Sequence, residues 1–177
     1  DLGATSGRVM LGQVGPNTLS LKPYARFPNT PITIADGLHW DIRELYRNTL
    51  EGLASVIRDE PDLKSIAVDS WAVDYALVHG GRMMGTPFHY RDSRNQAASD
   101  AVHRVVPPAE LYRSNGLQFL SFNTLYQLWA ERESGALEGA DSFLLIPDLL
   151  NFWLTGRQAA ERTNASTTGL LNVTTRD

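Results

Sequence analysis

The first eight residues, DLGATSGR, combine an acid, two hydroxyls, a cation and two glycines within one short stretch. Glycines let a backbone approach a ligand closely, and successive N–H groups of a tight turn form a concave site for anions. Thr5 and Ser6 add hydroxyl donors, Arg8 adds a positive charge, and Asp1 is placed to hold Mg²⁺ directly or through water. The pattern fits the phosphate groups of a nucleotide, although a tight glycine hairpin without any ligand explains the same residues equally well. It matches neither a Walker loop nor a dinucleotide-binding fingerprint.

A second stretch, DSWAVDY (residues 69–75), places acids near both ends of a turn with Trp71 between them. Aromatic faces pack on the C–H surfaces of sugars, and carboxylates accept hydrogen bonds from sugar hydroxyls. These residue types therefore suit a pocket for a polyol. The alternative is a Trp71 side chain buried in the core with Asp69 capping a turn, and the stretch taken alone slightly favours that alternative.

A third stretch, HYRDSR (residues 89–94), groups a tyrosine, two arginines and an acid after a strand-like Pro-Phe pair. These side chains could form part of a ligand site. The alternative is that Asp92 or Ser93 caps a helix that starts at Asn95. The four histidines of the chain lack the spacing of zinc ligands, and no nucleophile elbow supports a serine hydrolase.

Composition narrows the class of protein. The 177 residues are 42% hydrophobic and 20% charged, which is typical of one soluble globular domain. The net charge of −4 argues against a nucleic-acid-binding face, which needs a basic surface. The absence of cysteine excludes disulfides, thiolate metal sites and cysteine nucleophiles from this chain. No apolar run is long enough to span a membrane and no signal peptide precedes Asp1, so we expect a cytoplasmic protein.

Hydrophobic periodicity predicts that the chain opens with a strand meander. Residues 8–14 and 19–27 alternate as strands on either side of a Gly-Pro-Asn turn. Asp1 and Leu2 are then the end of a strand that precedes this pair, and we expect that central strand to be marginal or absent in this chain. Residues 28–37 are predicted to form a loop.

A helix, a buried strand and a helix-rich half are predicted to follow. Asp41 caps a helix whose apolar residues recur at helical spacing between positions 42 and 57. The run SIAVD (residues 65–69) is apolar and ends on an acid, which is typical of a buried central strand, with residues 73–79 as its hairpin partner. The remaining predicted elements are helices at 95–105, 109–114, 124–133 and 147–154 and a buried strand at 142–146. This order indicates an α/β protein with a mixed sheet and flanking helices.

Six stretches together resemble the FGGY carbohydrate kinases, in the family's order and along the whole chain. They are DLGATSGR, DSWAVDY, YRDSR, SNGLQFLSFNTLYQL, IPDLLNFWLTG and TNASTTGLLN. The first is weak alone because the wider actin and hexokinase superfamily uses something similar. The FNTLYQL piece and the segment from LTG to TNASTT are specific. The resemblance is greatest to the branch that phosphorylates L-rhamnulose.

The resemblance implies that residues 1–177 form the amino-terminal lobe of an actin-like ATPase fold of ribonuclease H-like topology. It implies that the first stretch faces the phosphates of ATP and that the second and third stretches line a ketose site. The residues carried over are Ala4, Thr5, Ser6, Gly7 and Arg8 for ATP, Asp1 for Mg²⁺, and Trp71, Ala72, Asp74, Tyr90 and Asp92 for the sugar.

The implied reaction is phosphorylation of L-rhamnulose at its 1-hydroxyl by Mg²⁺-ATP, with sugar and ATP as the partners and no nucleic acid or membrane. Two features depart from the family. Ala72 stands where the L-rhamnulose branch usually has glycine, which leaves the amide intact but puts the fit of the sugar in question. Family members are also much longer, and their carboxyl-terminal lobe supplies the adenine pocket and the aspartate that serves as general base. We therefore expect no catalytic base in this chain and no activity from it alone.

Three alternatives stay open at this stage. The first is an FGGY kinase that acts on xylulose, fuculose or glycerol. The second is a nuclease of the same topology in which Asp1, Glu44 or Glu51, and Asp69 form a two-metal site, against which the acidic charge argues. The third is a non-catalytic sugar-binding module. Assays over a panel of sugars, nuclease assays with Mg²⁺ or Mn²⁺, and the reading frame downstream of residue 177 distinguish them.

Overall fold

The computed structural model describes residues 1–175, which form strands and helices packed around three apolar clusters. The strands are β1 (Ser6–Gly15), β2 (Thr18–Pro28), β3 (Pro31–Ile34), β4 (Gly37–Trp40), β5 (Tyr75–His79), β6 (Arg82–Met84) and β7 (Ser142–Leu145). The helices are α1 (Ile42–Asp59), α2 (Arg94–Val105), α3 (Pro108–Asn115), α4 (Thr124–Ser134), α5 (Ile146–Thr155) and α6 (Arg162–Ala165).

Strands β1 and β2 form a long antiparallel hairpin that closes where Gly15 pairs with Thr18. The strands predicted at residues 8–14 and 19–27 lie inside these bounds, so both predictions are confirmed. Helix α1 packs against both strands. Its cap is also confirmed, because the Asp41 carboxylate accepts the backbone N–H of Glu44 at 3.1 Å. The hairpin therefore packs on a helix whose first turn is capped by Asp41, as the sequence predicted.

The loop predicted for residues 28–37 is wrong, because most of it belongs to the short antiparallel hairpin β3–β4. Its two strands have four residues each, and the first begins with proline, so the sequence alternates too briefly to indicate a strand. Burial stabilises the pairing instead, since His39 and Trp40 on β4 are almost completely enclosed.

The buried strand predicted at residues 65–69 is wrong, and so is its pairing with residues 73–79. The segment is assigned no strand and is largely exposed. Its link to the opening stretch is made by Leu2, whose N–H donates to the Asp69 carbonyl at 2.8 Å and which forms a parallel bridge with Ser70. A groove of about 330 Å³ separates the segment from β1. An apolar run becomes a buried strand only where neighbours cover both faces, and here the groove leaves one side open.

Strand β5 forms a three-stranded antiparallel sheet with β6 and β7. Tyr75 pairs with Leu145 and Leu77 pairs with Met84. The strand predicted at residues 73–79 is thus confirmed for residues 75–79, but it pairs with β6 and β7 rather than with residues 65–69. The strand predicted at residues 142–146 is also confirmed. A turn at Gly80 and Gly81 leads into β6, which the sequence did not indicate.

The helices predicted in the second half are confirmed to within one or two residues at each end; they are α2, α3, α4 and α5. The short helix α6 was not predicted. The main core joins the β1–β2 hairpin, α1, β5, β7 and α5 through buried residues that include Leu2, Val9, Phe27, Ile42 and Leu149. Within residues 1–175, no helix combines the length and apolar character needed to cross a membrane.

Candidate functional site

The opening stretch forms a tight turn between Leu2 and Gly7, which pair as an antiparallel bridge. The Gly3 N–H donates to the Ser6 carbonyl at 2.9 Å, and this contact closes the loop. Within residues 1–175 no acceptor receives the backbone N–H of Ala4 or Thr5. Both sequence interpretations are therefore compatible with the geometry: the stretch is a glycine hairpin, and its tip also offers free donors to an anion.

The end of β2 supports this turn from below. Asn29 is buried; its side-chain Nδ2 donates to the Gly3 carbonyl at 2.9 Å and its backbone N–H donates to the Thr5 carbonyl at 3.0 Å. Asn29 was not among the predicted site residues, and it lies in the region predicted as a loop. Asn29 thus donates to the carbonyls of Gly3 and Thr5, so these carbonyls have a partner other than the N–H groups at the tip of the turn. The N–H groups of Ala4 and Thr5 then remain available to a ligand.

Asp1 and Arg8 lie side by side at the rim of the turn. The Arg8 guanidinium contacts the Asp1 carboxylate at 3.0 Å, and both side chains are exposed. Among residues 1–175 no three metal-ligating side chains converge. The turn thus offers one carboxylate to a divalent cation and free N–H donors to the phosphates that would accompany it. A single carboxylate fits Mg²⁺, because that ion keeps several waters and takes further oxygens from phosphates.

The two-metal arrangement of the nuclease alternative is not assembled. Glu44 and Glu51 on α1 both accept hydrogen bonds from Arg47, at 3.0 and 2.9 Å, on the exposed face of that helix. They do not join Asp1 and Asp69 in a cluster of metal ligands within the described part of the chain.

The second predicted stretch forms a turn at residues 71–74, immediately before β5. The Asp74 N–H donates to the Ala72 carbonyl at 2.9 Å. Val73 has a φ of 69°, which is strained for a β-branched residue. Its carbonyl accepts the Thr124 hydroxyl at 2.7 Å. The first turn of α4 thus holds the Trp71–Asp74 turn in an unusual conformation, with Trp71 and Ala72 half-buried at its edge.

Asp74 is fully buried, and its two oxygens accept hydrogen bonds from four different parts of the chain. Oδ2 accepts from Trp40 Nε1 at 2.6 Å, Trp71 Nε1 at 3.0 Å and the Tyr90 N–H at 3.1 Å, while Oδ1 accepts from Gln127 Nε2 at 2.8 Å. Burial raises the pKa of Asp74 to about 6, and these hydrogen bonds act in the opposite direction. The sequence predicted a direct contact between Asp74 and the sugar. In this structure both oxygens already accept hydrogen bonds from the chain, and the contact with the sugar stays a prediction.

Four aromatic rings stack beside Asp74, and we call Trp40, Trp71, His89 and Tyr90 the aromatic wall. Ring centroids of Trp40 lie 4.1 Å from Trp71 and 4.0 Å from His89, and His89 lies 4.5 Å from Tyr90. Burial, together with the nearby Arg91 charge, lowers the pKa of His89 to about 4, so its ring is neutral at physiological pH. Trp40 and His89 are enclosed, whereas Trp71 and Tyr90 are half-buried. The accessible edge of the wall therefore belongs to two residues predicted to contact sugar.

Asp92 has a structural role in this arrangement. One carboxylate oxygen accepts the Leu38 N–H at 2.8 Å and the other accepts the Arg94 N–H at 2.9 Å. The carboxylate thereby joins β4 to the start of α2. This matches the capping alternative more closely than the predicted sugar contact, because backbone donors occupy both oxygens.

Leu2 brings the two halves of the predicted site together. We call the tight turn of residues 2–7 the phosphate turn, after the ligand predicted for it. Leu2 opens this turn, and its parallel bridge to Ser70 places the turn beside the residue that precedes Trp71. The structure therefore places the turn predicted for phosphate next to the start of one of the two stretches predicted for sugar.

Two of the hydrogen-bond partners of Asp74 were not predicted from the sequence. Trp40 lies 34 positions and Gln127 lies 53 positions from their shared partner Asp74. Gln127 does fall within the FNTLYQL piece, which carries the resemblance to the kinase family. No local signal marks Trp40, whose role depends on the unpredicted hairpin β3–β4.

Comparisons with known proteins agree with this geometry. The sequence model described as "FGGY family of carbohydrate kinases, N-terminal domain" matches residues 1–177. A rhamnulokinase of Yersinia pestis bv. Antiqua (strain Angola) is 43% identical over 182 residues, which cover 100% of this chain and 38% of that protein. A rhamnulokinase of Bacteroides thetaiotaomicron is 39% identical over 178 residues, which cover 99% of this chain and 37% of that protein.

The fold is also similar to solved structures. The crystal structure of xylulose kinase from Rhodospirillum rubrum superposes with a TM-score of 0.82 at 19% identity, covering 98% of this chain and 37% of that chain. The chain thus spans little more than a third of the length of the proteins it matches. The predicted α/β class and actin-like ATPase fold are confirmed by this similarity. Since the family match extends over every residue, the chain belongs to the FGGY family of carbohydrate kinases.

Proposed function

We propose that this chain is the sugar- and phosphate-binding lobe of an ATP-dependent kinase that converts L-rhamnulose to L-rhamnulose 1-phosphate. The observation that carries the proposal is the bridge between Leu2 and Ser70, because Leu2 precedes the loop with free N–H donors and Ser70 precedes Trp71 of the aromatic wall. A phosphoryl donor and a polyol acceptor bound at these two places would be neighbours. The choice of sugar is supported by the rhamnulokinases that are 39% and 43% identical to this chain.

In this proposal the lobe acts mainly by positioning its two substrates, which is the largest protein contribution to phosphoryl transfer. The amides and hydroxyls of Ala4, Thr5, Ser6 and Gly7 hold the phosphates, and Arg8 adds positive charge. The exposed edge of Trp71 packs on C–H groups of the ketose, the Ala72 amide donates to a sugar oxygen, and Tyr90 lines the same side.

Asp1 would hold Mg²⁺, directly or through water. When bound, that ion neutralises charge on the transferred phosphate. The Asp1 carboxylate is accessible and contacts the exposed Arg8 side chain, so a ligand can reach both groups.

We infer that a residue outside this chain provides the general base, as the family resemblance implies. The burial of Asp74 supports this view, because its oxygens are occupied by the side-chain N–H groups of Trp40, Trp71 and Gln127 and by the Tyr90 amide. A second lobe closing over the site would supply the base and exclude water.

A panel of substrates tests the proposed function. The full-length protein containing this chain is assayed for ADP formation with Mg²⁺-ATP and L-rhamnulose, xylulose, fuculose or glycerol. We expect kcat/KM for L-rhamnulose to exceed that of each other sugar by at least about ten-fold, a difference that a few pocket contacts can provide. Preference for another sugar would overturn the substrate assignment. Saturable sugar binding without ADP formation would overturn the kinase and indicate a binding module.

The 177-residue chain alone is the matched control in the same assay. We expect no sugar phosphate from it, because it contains half of the proposed phosphate cradle and no base. Measured ATP-dependent phosphorylation by the isolated chain would contradict the division of roles between lobes.

A further inference from the structure

The Asp74 carboxylate is a buried charge that no cation balances. Within residues 1–175 no lysine, arginine or histidine nitrogen lies within ion-pair distance of it. Its four partners are neutral N–H groups from β4, from the Trp71 turn, from the segment before α2 and from α4. Burying an unpaired charge is unfavourable, and an apolar side chain packs such a position at lower free energy. The arrangement is therefore poorly explained by stability alone.

A carboxylate suits this position because it accepts at both oxygens. Oδ2 receives three donors and Oδ1 receives the fourth, and the negative charge strengthens each bond. An asparagine would turn an NH₂ group toward Gln127 Nε2 or toward the two indoles. Gln127 cannot simply reverse its amide, because Nε2 also donates to the Phe122 carbonyl at 2.9 Å. Only a side chain whose two terminal atoms both accept hydrogen bonds satisfies all four donors.

The partners of Asp74 include both residues that form the accessible edge of the aromatic wall. The indole of Trp71 is directed by its Nε1–H bond to Oδ2, and the main chain of Tyr90 is fixed by its N–H bond to the same oxygen. Trp40 packs behind Trp71 and donates to that oxygen too. One atom thus sets the relative placement of three segments that are distant in sequence.

Helix α4 holds Asp74 in place from the other side. Gln127 binds Oδ1, and the Thr124 hydroxyl binds the carbonyl of the strained Val73. Backbone strain of this kind persists where the surroundings determine the conformation, and it is common at functional sites. The turn that presents Trp71 and Ala72 is consequently fixed by α4 at the Val73 carbonyl and at the Asp74 side chain.

We propose that Asp74 is a positioning residue for the sugar: its carboxylate sets the orientation of the Trp71 indole and the Tyr90 main chain without touching the substrate. This inference rests on the proposed kinase function. Loss of the carboxylate should affect the two substrates differently, because the phosphate turn is held by the hydrogen bond from Asn29 to the Gly3 carbonyl and not by the partners of Asp74. Loss of the carboxylate should weaken sugar binding and leave ATP binding unchanged.

The test compares steady-state kinetics of the full-length wild type with Asp74→Asn. We expect KM for the sugar to rise roughly ten- to hundred-fold, as when a contact surface is misplaced by about an ångström, while KM for ATP stays within about two-fold. A merely structural role would lower the amount of folded enzyme and kcat, and would leave both KM values where they were.

Two further variants keep the test decisive. Trp40→Phe keeps a buried ring but removes one donor to Oδ2; because Trp40 is 0% exposed it cannot contact sugar, and we expect its sugar KM to rise by a few-fold. Glu131→Gln is the matched control: it neutralises another buried carboxylate on α4, paired with Arg94 at 3.0 Å, and should leave the sugar KM unchanged. If Asp74→Asn does not fold, Trp40→Phe decides.

The outcomes separate the two proposals. A wild type that phosphorylates no sugar overturns the proposed function and this inference with it. An active wild type whose sugar KM is unaffected in Asp74→Asn and in Trp40→Phe overturns this inference alone. So does a sugar KM that rises as much in Glu131→Gln as in Trp40→Phe.

Discussion

Gly7 of the phosphate turn illustrates how packing dictates a residue that ligand chemistry also favours. A Cβ added there would lie 2.2 Å from one carbon of the Phe27 ring and 3.0 Å from Leu2 Cδ2. Both neighbours are buried, so neither can move aside without disturbing the core. The requirement for glycine at this position follows from the close approach of β1 to β2, whatever the turn binds.

This contact predicts a difference between two glycines of the same strand. Gly7→Ala should lower the free energy of unfolding by about 2 kcal/mol, the usual effect of overpacking a well-filled site. Gly12→Ala is the matched control, because a Cβ there would meet Leu21 at 3.6 Å, an ordinary contact with an exposed side chain. Urea unfolding of the three proteins measures both values, and equal losses in the two variants would contradict the explanation.

At the scale of elements, the groove between β1 and residues 65–68 leaves backbone groups without partners. The N–H groups of these residues donate to no acceptor within residues 1–175, whereas β5 is paired on both sides by β6 and β7. Stretches with few backbone hydrogen bonds open at low free energy. The two extended segments should therefore differ in stability although both contain apolar residues.

Hydrogen exchange of the isolated chain measures this difference. We expect amides of residues 65–68 to exchange orders of magnitude faster than those of Tyr75–Val78, because the latter are buried and belong to the three-stranded sheet. Amides at the centre of α1 provide a protected internal reference. Comparable protection of the two segments would mean that residues 65–68 are paired in solution.

The helices were predictable because their signals are local. The Asp41 cap and the spacing from Ile42 onward give α1, and prolines at the first turn with glycines beyond the end mark α3 and α5. The hairpin β3–β4 was not predictable, since its stability comes from burying Trp40 and His39 against distant segments. For the same reason SIAVD gave a false strand: its apolar residues indicate burial, but burial depends on neighbours that periodicity does not reveal.

The candidate site divides in the same way. The phosphate turn is contiguous in sequence, so its residues were named together and the structure keeps them together. The residues predicted for the sugar are instead brought together from distant segments, since the Asp74 carboxylate accepts hydrogen bonds from β4, the Trp71 turn, the segment before α2 and α4. Residue types and the family resemblance led to the prediction of Trp71 and Tyr90, but they could not show that Asp74 lies behind them or that Trp40 and Gln127 complete the network.

At the scale of the whole molecule, Leu2 connects the β1–β2 hairpin to the extended segment that ends at Ser70. It is 2% exposed, it bridges β1 at Gly7 and the extended segment at Ser70, and it belongs to the core shared with α1 and α5. The residue therefore couples the hairpin to the rest of the lobe through its backbone and its side chain.

Truncation of this side chain should be costly. Leu2→Ala is expected to reduce the free energy of unfolding by about 3 kcal/mol, as for other large-to-small changes at fully buried positions. Leu50→Ala on α1 serves as control, because Leu50 is 41% exposed and its truncation should cost well under about 1 kcal/mol. Denaturant titration of both variants provides the comparison, and a Leu2→Ala effect as small as the control would show that the core does not depend on this link.

The contact between Asp1 and Arg8 has a consequence for how quickly a triphosphate would arrive. Opposite charges 3.0 Å apart nearly cancel each other's field beyond a few ångströms. The chain as a whole carries a net charge of −4, which repels a polyanion at long range. This chain therefore provides no long-range electrostatic steering toward the turn, and added salt should raise rather than lower the encounter rate because it screens the net negative charge. In the proposed site the turn would attract a phosphate only at contact, where the anion could replace Asp1 as the partner of Arg8.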